Sequence, residues 1–166
     1  MIFARRSVRK YQDKPLSDEV LRDLLEAAMA APSAAAKDPW HFVVLRQKPT
    51  LARIAEGLPN GRLLAEAAAG VVVCGDRRKA HGNEESYLLQ DCSAAIENLL
   101  LAASALGLGA CWLGVHPRAE RMAYVGQALK LPEGIVPVGV VALGWPAEHH
   151  PPRTRFTEAV IHDETW

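Results

Sequence analysis

One stretch constrains what this chain can become: YLLQDCSAAIENLLLAASALGLGACWLG, running from Tyr87 to Gly114. Its first two thirds place apolar residues at Leu88, Cys92, Ala95, Ile96, Leu99, Ala102, Ala103 and Leu106, the three- and four-residue spacing of a helix. The opposite side is hardly more polar, with Ala94, Leu101 and Ala105 interrupted by Glu97, Asn98 and Ser104. A helix apolar nearly all round is buried on most sides, in a core or a subunit interface. At roughly twenty residues it would reach about 30 Å, enough to raise the question of a membrane span. Asp91, Glu97, Asn98 and the many alanines argue against one. Gly107 and Gly109 end the helix, because glycine accepts the left-handed conformation of a C-cap. The residues Ala110 to Gly114 then read as a short interior strand.

Composition narrows the classes. At 166 residues and 49% hydrophobic, this is the length of one globular domain with a real core. We take residues 1–166 as that domain, with 146–166 as a C-terminal arm. The 19 basic and 19 acidic residues cancel, so an anion site must be a local cluster, and neither nucleic acid nor an acidic membrane is an expected partner. Cys74, Cys92 and Cys111 stand far apart in apolar contexts, the pattern of buried thiols in a reducing compartment. The opening residues show no signal-peptide pattern, and the cytoplasm is the expected location.

In chain order, Ser17 is a good N-cap followed by Asp18 and Glu19, with Val20, Leu21, Leu24, Leu25, Ala28 and Ala31 on one helical face. Pro32 should end that helix, leaving a loop up to Trp40 and a strand from His41 to Leu45. Thr50 is expected to cap a short helix through Leu58, and Asn60-Gly61 marks a turn. A helix over 62–69, a buried strand over 71–74 and a polar loop over 76–85 follow. Beyond the central stretch, a helix over 118–129 with Pro117 in its first turn leads to the longest strand, 135–143. After Gly144 the prolines Pro146, Pro151 and Pro152 oppose regular structure. Helices and strands interleave, yet in an irregular order, which predicts a three-layer sandwich, α+β or α/β.

Several chemistries are set aside. The chain has no phosphate-binding P-loop, no dinucleotide fingerprint after a strand and no G-x-S-x-G elbow. Its six histidines lack metal-ligand spacing on any one helix. What remains is ARRSVRKY, residues 4–11, with Arg5, Arg6, Arg9 and Lys10 close together. An isolated run of this kind reads first as a solvated arm. The sharper reading is a phosphate grip, since arginine forks and the Ser7 hydroxyl suit a phosphate and its neighbouring hydroxyls. Arg153 and Arg155 in PPRTRF form a second basic pair near the other end. Composition alone does not join the two.

Four stretches carry a resemblance: RRSVRKY, APSAAAKDPWHFVV, QDCSAAIENLLLAASALGLGACWLG and PPRTRF. In order and spacing they resemble the nitroreductase family of FMN-dependent oxidoreductases, in its short-chain branch, and the resemblance implies an α+β fold, a three-layer α/β/α sandwich around a mixed central sheet. The resemblance implies that Arg5, Arg6 and Ser7 grip the FMN phosphate and ribityl chain, and that Arg9 lies near the N1/O2 edge of the flavin. It implies that Pro32, Ser33 and Ala34 reach the flavin from the partner subunit of a homodimer. Trp112, Leu113 and Gly114 would lie along the ring near N5, and Arg153 and Arg155 would complete the phosphate site. No protein nucleophile is implied. NAD(P)H would give hydride to FMN and leave, and a small acceptor, nitroaromatic or quinone-like, would then take the electrons. Two positions depart from the family's Pro-Ser-x-x-Asn-x-Gln-Pro-Trp, because Ala36 and Asp38 stand where it has Asn and Gln. A flavin enzyme of this fold with other chemistry, or a non-catalytic flavin-binding module, are the alternative readings.

Overall fold

Four strands form one sheet in the order β1-β2-β4-β3, where β1 is Trp40–Leu45, β2 Ala69–Asp76, β3 Gly109–Gly114 and β4 Ile135–Gly144. The structure, a computed structural model, describes residues 2–166. Each strand pairing is antiparallel. Among the described residues the parallel component of the expected mixed sheet is confined to a single bridge, Ser7 to Ala110, at the outer edge of β3. Helices α1 (Asp18–Met29) and α4 (Glu85–Ala105) cover one face. Helices α2 (Lys48–Glu56), α3 (Arg62–Glu66) and α5 (Ala119–Leu129) cover the other, giving three layers.

The valines of β2 show how pleating sorts side chains. Val71 and Val73 face α1 and α4, while Val72 and Cys74 face α2, α3 and α5. On β4 the phase changes along the strand. Val136 and Val138 point to the α1/α4 side, yet further on it is Val141 and Leu143 that do so, and Val140 and Ala142 point the other way. The cause is a bulge: Val73 pairs with Gly139 and Cys74 with Pro137, leaving Val138 as an extra residue. Pro137 has no N–H for a ladder, and an interior strand holds a proline only at such an irregularity.

The central helix lies where the 3.6-residue pattern puts it. Leu88, Ile96 and Leu99 are fully buried, and burial of such side chains stabilises by about 1.5–3 kcal/mol each. Its close contact with β2 needs Gly75, where a Cβ would fall 2.4 Å from Cγ of Leu88. The helix ends as a Schellman motif. Gly107 adopts φ +74°, its N–H donates to Ser104 C=O at 3.2 Å, and the Leu108 N–H reaches Ala103 C=O at 2.8 Å. Burial is less complete than expected, however, because Ala94, Leu101 and Ala102 are only half-buried and Leu106 is exposed. Among the described residues no helix is long and apolar enough to cross a membrane.

Local expectations hold unevenly. The Ser17 hydroxyl accepts from the Val20 N–H at 3.2 Å, as an N-cap should. Thr50 is not a cap: Gln47 takes that place, and Pro49 fits the first turn where no N–H is needed. The third helix stops at Glu66 because β2 begins at Ala69, two residues earlier than Val71. Pro117 precedes the first turn of α5, whose N-cap is Arg118. The polar segment after β2 is a turn and one 3-10 helix, His81–Asn83, with Ala80 buried beneath it. Adding one methyl at the α4–β2 contact tests the packing. Gly75→Ala should destabilise by about 1–3 kcal/mol in urea denaturation, since the fully buried Leu88 has nowhere to withdraw.

Candidate functional site

The basic motif is fixed by what surrounds its charges. Val8 is buried, and its N–H donates to Ala110 C=O at 3.0 Å. Gly109 makes the approach possible, as a Cβ there would lie 2.6 Å from Cγ1 of Val8. Tyr11 is also held, its hydroxyl donating to Val8 C=O at 2.7 Å, and burial pushes its pKa well up. The segment is thus clamped to the start of β3, with Arg5 and Arg6 left partly exposed.

The chain's far end returns to the same place. Tyr11 bridges to Pro146, and the Ala147 N–H donates to Lys10 C=O at 2.9 Å. The Arg153 N–H donates to Phe3 C=O at 3.0 Å, and the Arg6 guanidinium donates to Pro151 C=O. A cleft of about 220 Å³ results, lined by Arg5, Arg6, Arg153, Thr154, Arg155 and Glu97. The two arginine pairs that sequence left unconnected therefore converge within one chain. A phosphomonoester, doubly charged and rich in acceptors, fits four guanidinium groups that carry donors only.

Arg9 does not share that cleft. Its N–H donates to Glu148 Oε1 at 2.7 Å and its guanidinium to Ser7 C=O at 3.3 Å. It lines a second cleft of about 830 Å³ with Lys10, Arg62, Glu66, Glu148 and His150. The hydrogen bond from the Arg9 backbone holds the Glu148 carboxyl below its usual range.

Pro32, Ser33 and Ala34 begin a loop in an uncommon conformation. Ala35, Ala36 and Asp38 have φ of 50°, 52° and 46°, the left-handed region that non-glycine residues occupy at a cost of about 1–2 kcal/mol each. Asparagine tolerates that region better than alanine, so Ala36 holds this conformation at a local cost. Two contacts hold the loop. The Ser33 hydroxyl donates to Asp38 Oδ1 at 2.5 Å while the Asp38 N–H returns a bond to Ser33 Oγ at 3.0 Å. Asp91, buried on α4, accepts from the Ala34 N–H at 2.9 Å. Its other oxygen, Oδ2, has no partner among the described residues. The Asp38 carboxylate is therefore engaged inside its own loop.

Trp112, Leu113 and Gly114 sit on the edge strand β3. Alternation buries Leu113 and exposes Trp112 and Gly114 on the α4 side. The Trp112 indole lies over Gly139, where a Cβ would meet its Nε1 at 2.2 Å. Gly114 faces open space, and its carbonyl accepts from Arg121 at 3.0 Å. A flat group can approach the Cα of Gly114 without meeting a Cβ. Just beyond, His116 Nε2 lies 2.9 Å from Glu85 Oε1, which holds the Glu85 carboxyl below its usual range.

Sequence reasoning passed over Asp91, Glu97 and the His116–Glu85 pair as site residues. The available signal was a few polar side chains on an otherwise apolar helix. The cysteines are inert by comparison, since burial pushes the thiols of Cys74 and Cys92 up to about 12. Among the described residues no group of three or more His, Cys, Asp or Glu could hold a metal ion.

Comparison with known proteins places the chain and its fold. The sequence model of the nitroreductase family matches residues 2–58 and 57–145. A protein of Archaeoglobus fulgidus with the provisional name NADH dehydrogenase/NAD(P)H nitroreductase is 44% identical over 169 residues, covering 100% of this chain and 97% of that one. A crystal structure from Parabacteroides distasonis under the same provisional name is 41% identical with a TM-score of 0.94, covering 99% of this chain and 96% of that one. A second, from Desulfovibrio desulfuricans, provisionally named a nitroreductase and solved in complex with FMN, is 32% identical with a TM-score of 0.85, covering 99% and 95%. With matched fold, near-complete coverage on both sides and the motifs in order, the chain belongs to the nitroreductase family.

Proposed function

We propose that this protein is an FMN-dependent NAD(P)H oxidoreductase that works as a homodimer in the cytoplasm and reduces a small organic acceptor, nitroaromatic or quinone-like. The observation that carries the reading is the convergence of Arg5, Arg6, Arg153 and Arg155 on one cleft in a chain without net charge. The relatives' names supply the electron donor, and the FMN complex of one relative supplies the cofactor. When bound, FMN would supply the redox chemistry between NAD(P)H and the acceptor.

The chain's own residues bind and orient. The four arginines and the Ser7 hydroxyl hold the phosphate and the adjoining sugar-alcohol chain. Gly114 leaves room for the ring against main chain, beside Trp112 and Leu113. Arg9 opens on a separate cleft with Arg62, Glu66 and Glu148, and we assign it no part in holding the phosphate. Pro32, Ser33 and Ala34 meet the ring of a second copy, with Asp91 keeping their loop in shape. A second copy also accounts for apolar surface that one chain leaves open: Ile2, Phe3, Phe156, Val160, Ile161 and Trp166 are all exposed. Because the acceptor takes its electrons in the donor's vacated place, the two substrates should compete, giving ping-pong kinetics. The buried free cysteines fit a reducing compartment.

Three measurements test this account. Arg5→Ala should weaken FMN binding roughly ten- to a hundred-fold, the loss of about 1.5–3 kcal/mol for a charge-assisted hydrogen bond, with the fold unchanged by circular dichroism. Equal FMN affinity in the two proteins contradicts the assignment. Deleting everything after Ala147 removes Arg153, Arg155 and the arm's apolar anchors, and light scattering with flavin absorbance should find a colourless monomer. A truncated protein that stays yellow and dimeric excludes the arm from both roles. Asp91→Ala takes away the acceptor for the Ala34 N–H but also a buried unpaired oxygen, so global stability is the wrong readout. Trypsin cleavage after Lys37 should instead accelerate, and an unchanged rate argues that the loop holds itself.

A further inference from the structure

The cleft that gathers the arginines also contains a carboxylate. Glu97, on α4, lines it beside both arginine pairs, and its Oε1 lies 3.3 Å from Nε of Arg5. The Arg5 side chain is 30% exposed and that of Glu97 48%, so water screens the pair and it adds little to folding. Its neighbours Ile96, Leu99 and Leu100 fix the helix by burial, leaving Glu97 on the side that meets the N-terminal motif. A lone negative charge among four guanidinium groups opposes any anion the cleft takes up. It also offers Arg5 the same kind of oxygen that a phosphate would.

We propose that Glu97 is a placeholder for the ligand's phosphate. In the ligand-free chain its carboxylate engages Arg5 and offsets part of the repulsion among the arginines. When a phosphomonoester enters, Arg5 passes from the carboxylate to the phosphate, and Glu97 is left beside a group carrying about two negative charges. The like-charge repulsion weakens binding of the phosphorylated flavin and leaves a flavin without phosphate unaffected. Glu97 thereby sets how firmly the protein retains FMN, and narrows its preference for FMN over riboflavin. The inference rests on the FMN reading given above.

The test is a titration of the full-length chain and of Glu97→Gln with FMN and with riboflavin, followed by flavin fluorescence. Glutamine keeps the shape and removes the charge. The variant should bind FMN about five- to tenfold more tightly, the effect of one like charge at a partly solvated distance, and riboflavin within about twofold of the wild type. Glu97→Ala, which removes the reach as well as the charge, should tighten FMN likewise. FMN affinity that is unchanged in Glu97→Gln, or weaker, overturns the placeholder and makes Glu97 a bystander or a support for Arg5. Equal tightening of FMN and riboflavin overturns it too, because the effect would then not act through phosphate. A wild-type chain that binds no FMN overturns the cofactor reading and the inference together, whereas any of the preceding results leaves the cofactor reading standing.

Discussion

The packing of α4 against β2 is the contact on which the rest depends. It requires Gly75 on the strand and an unbroken apolar stripe on the helix, and it puts one long rigid element through the middle of the molecule. Three polar side chains on that helix each meet a different neighbour. Asp91 takes the Ala34 N–H of the left-handed loop, Asn98 donates to Ala27 C=O at the end of α1 at 3.1 Å, and Glu97 engages Arg5. Core and site are therefore parts of one framework. A shift of α4 along the sheet would disturb the loop, the α1 layer and the arginine cleft at once.

What could be read from sequence was whatever local chemistry decides. Ser17 as a cap, Gly107 as a stop and the 3.6-residue stripe of α4 depend on neighbours within a few positions, and each lies where its pattern puts it. Thr50 failed as a cap because Gln47 and Pro49 together open the helix earlier, a competition between adjacent signals. The ends of β2 were set by its partners, since Ala69 and Asp76 pair with Leu143 and Ile135 of β4. No residue type at those positions announces a strand.

The site divides in the same way. Arginines and a serine in RRSVR suggested an anion, but only the folded chain brings Arg153 and Arg155 to Arg5 and Arg6, through backbone bonds from Arg153 and Ala147 that leave no trace in composition. Arg9 illustrates the converse, being close to Arg5 in sequence yet opening on a different cleft. The substituted loop positions gain a physical meaning from the backbone. Ala36 occupies a conformation asparagine would fill more easily, and Asp38 is committed to Ser33.

The bulge in β4 bears on how the chain avoids misfolding. Because β2 and β4 are apolar on both faces, a slip of one residue between them would still bury hydrophobic side chains in both layers, and hydrophobicity penalises the error only weakly. Pro137 supplies the missing penalty. With no N–H to give, it is accommodated where Val138 has no partner on β2, and a slipped ladder would place it opposite a carbonyl in need of a donor. The residue that looks least suited to an interior strand is thus the one that tells the sheet where to stop sliding.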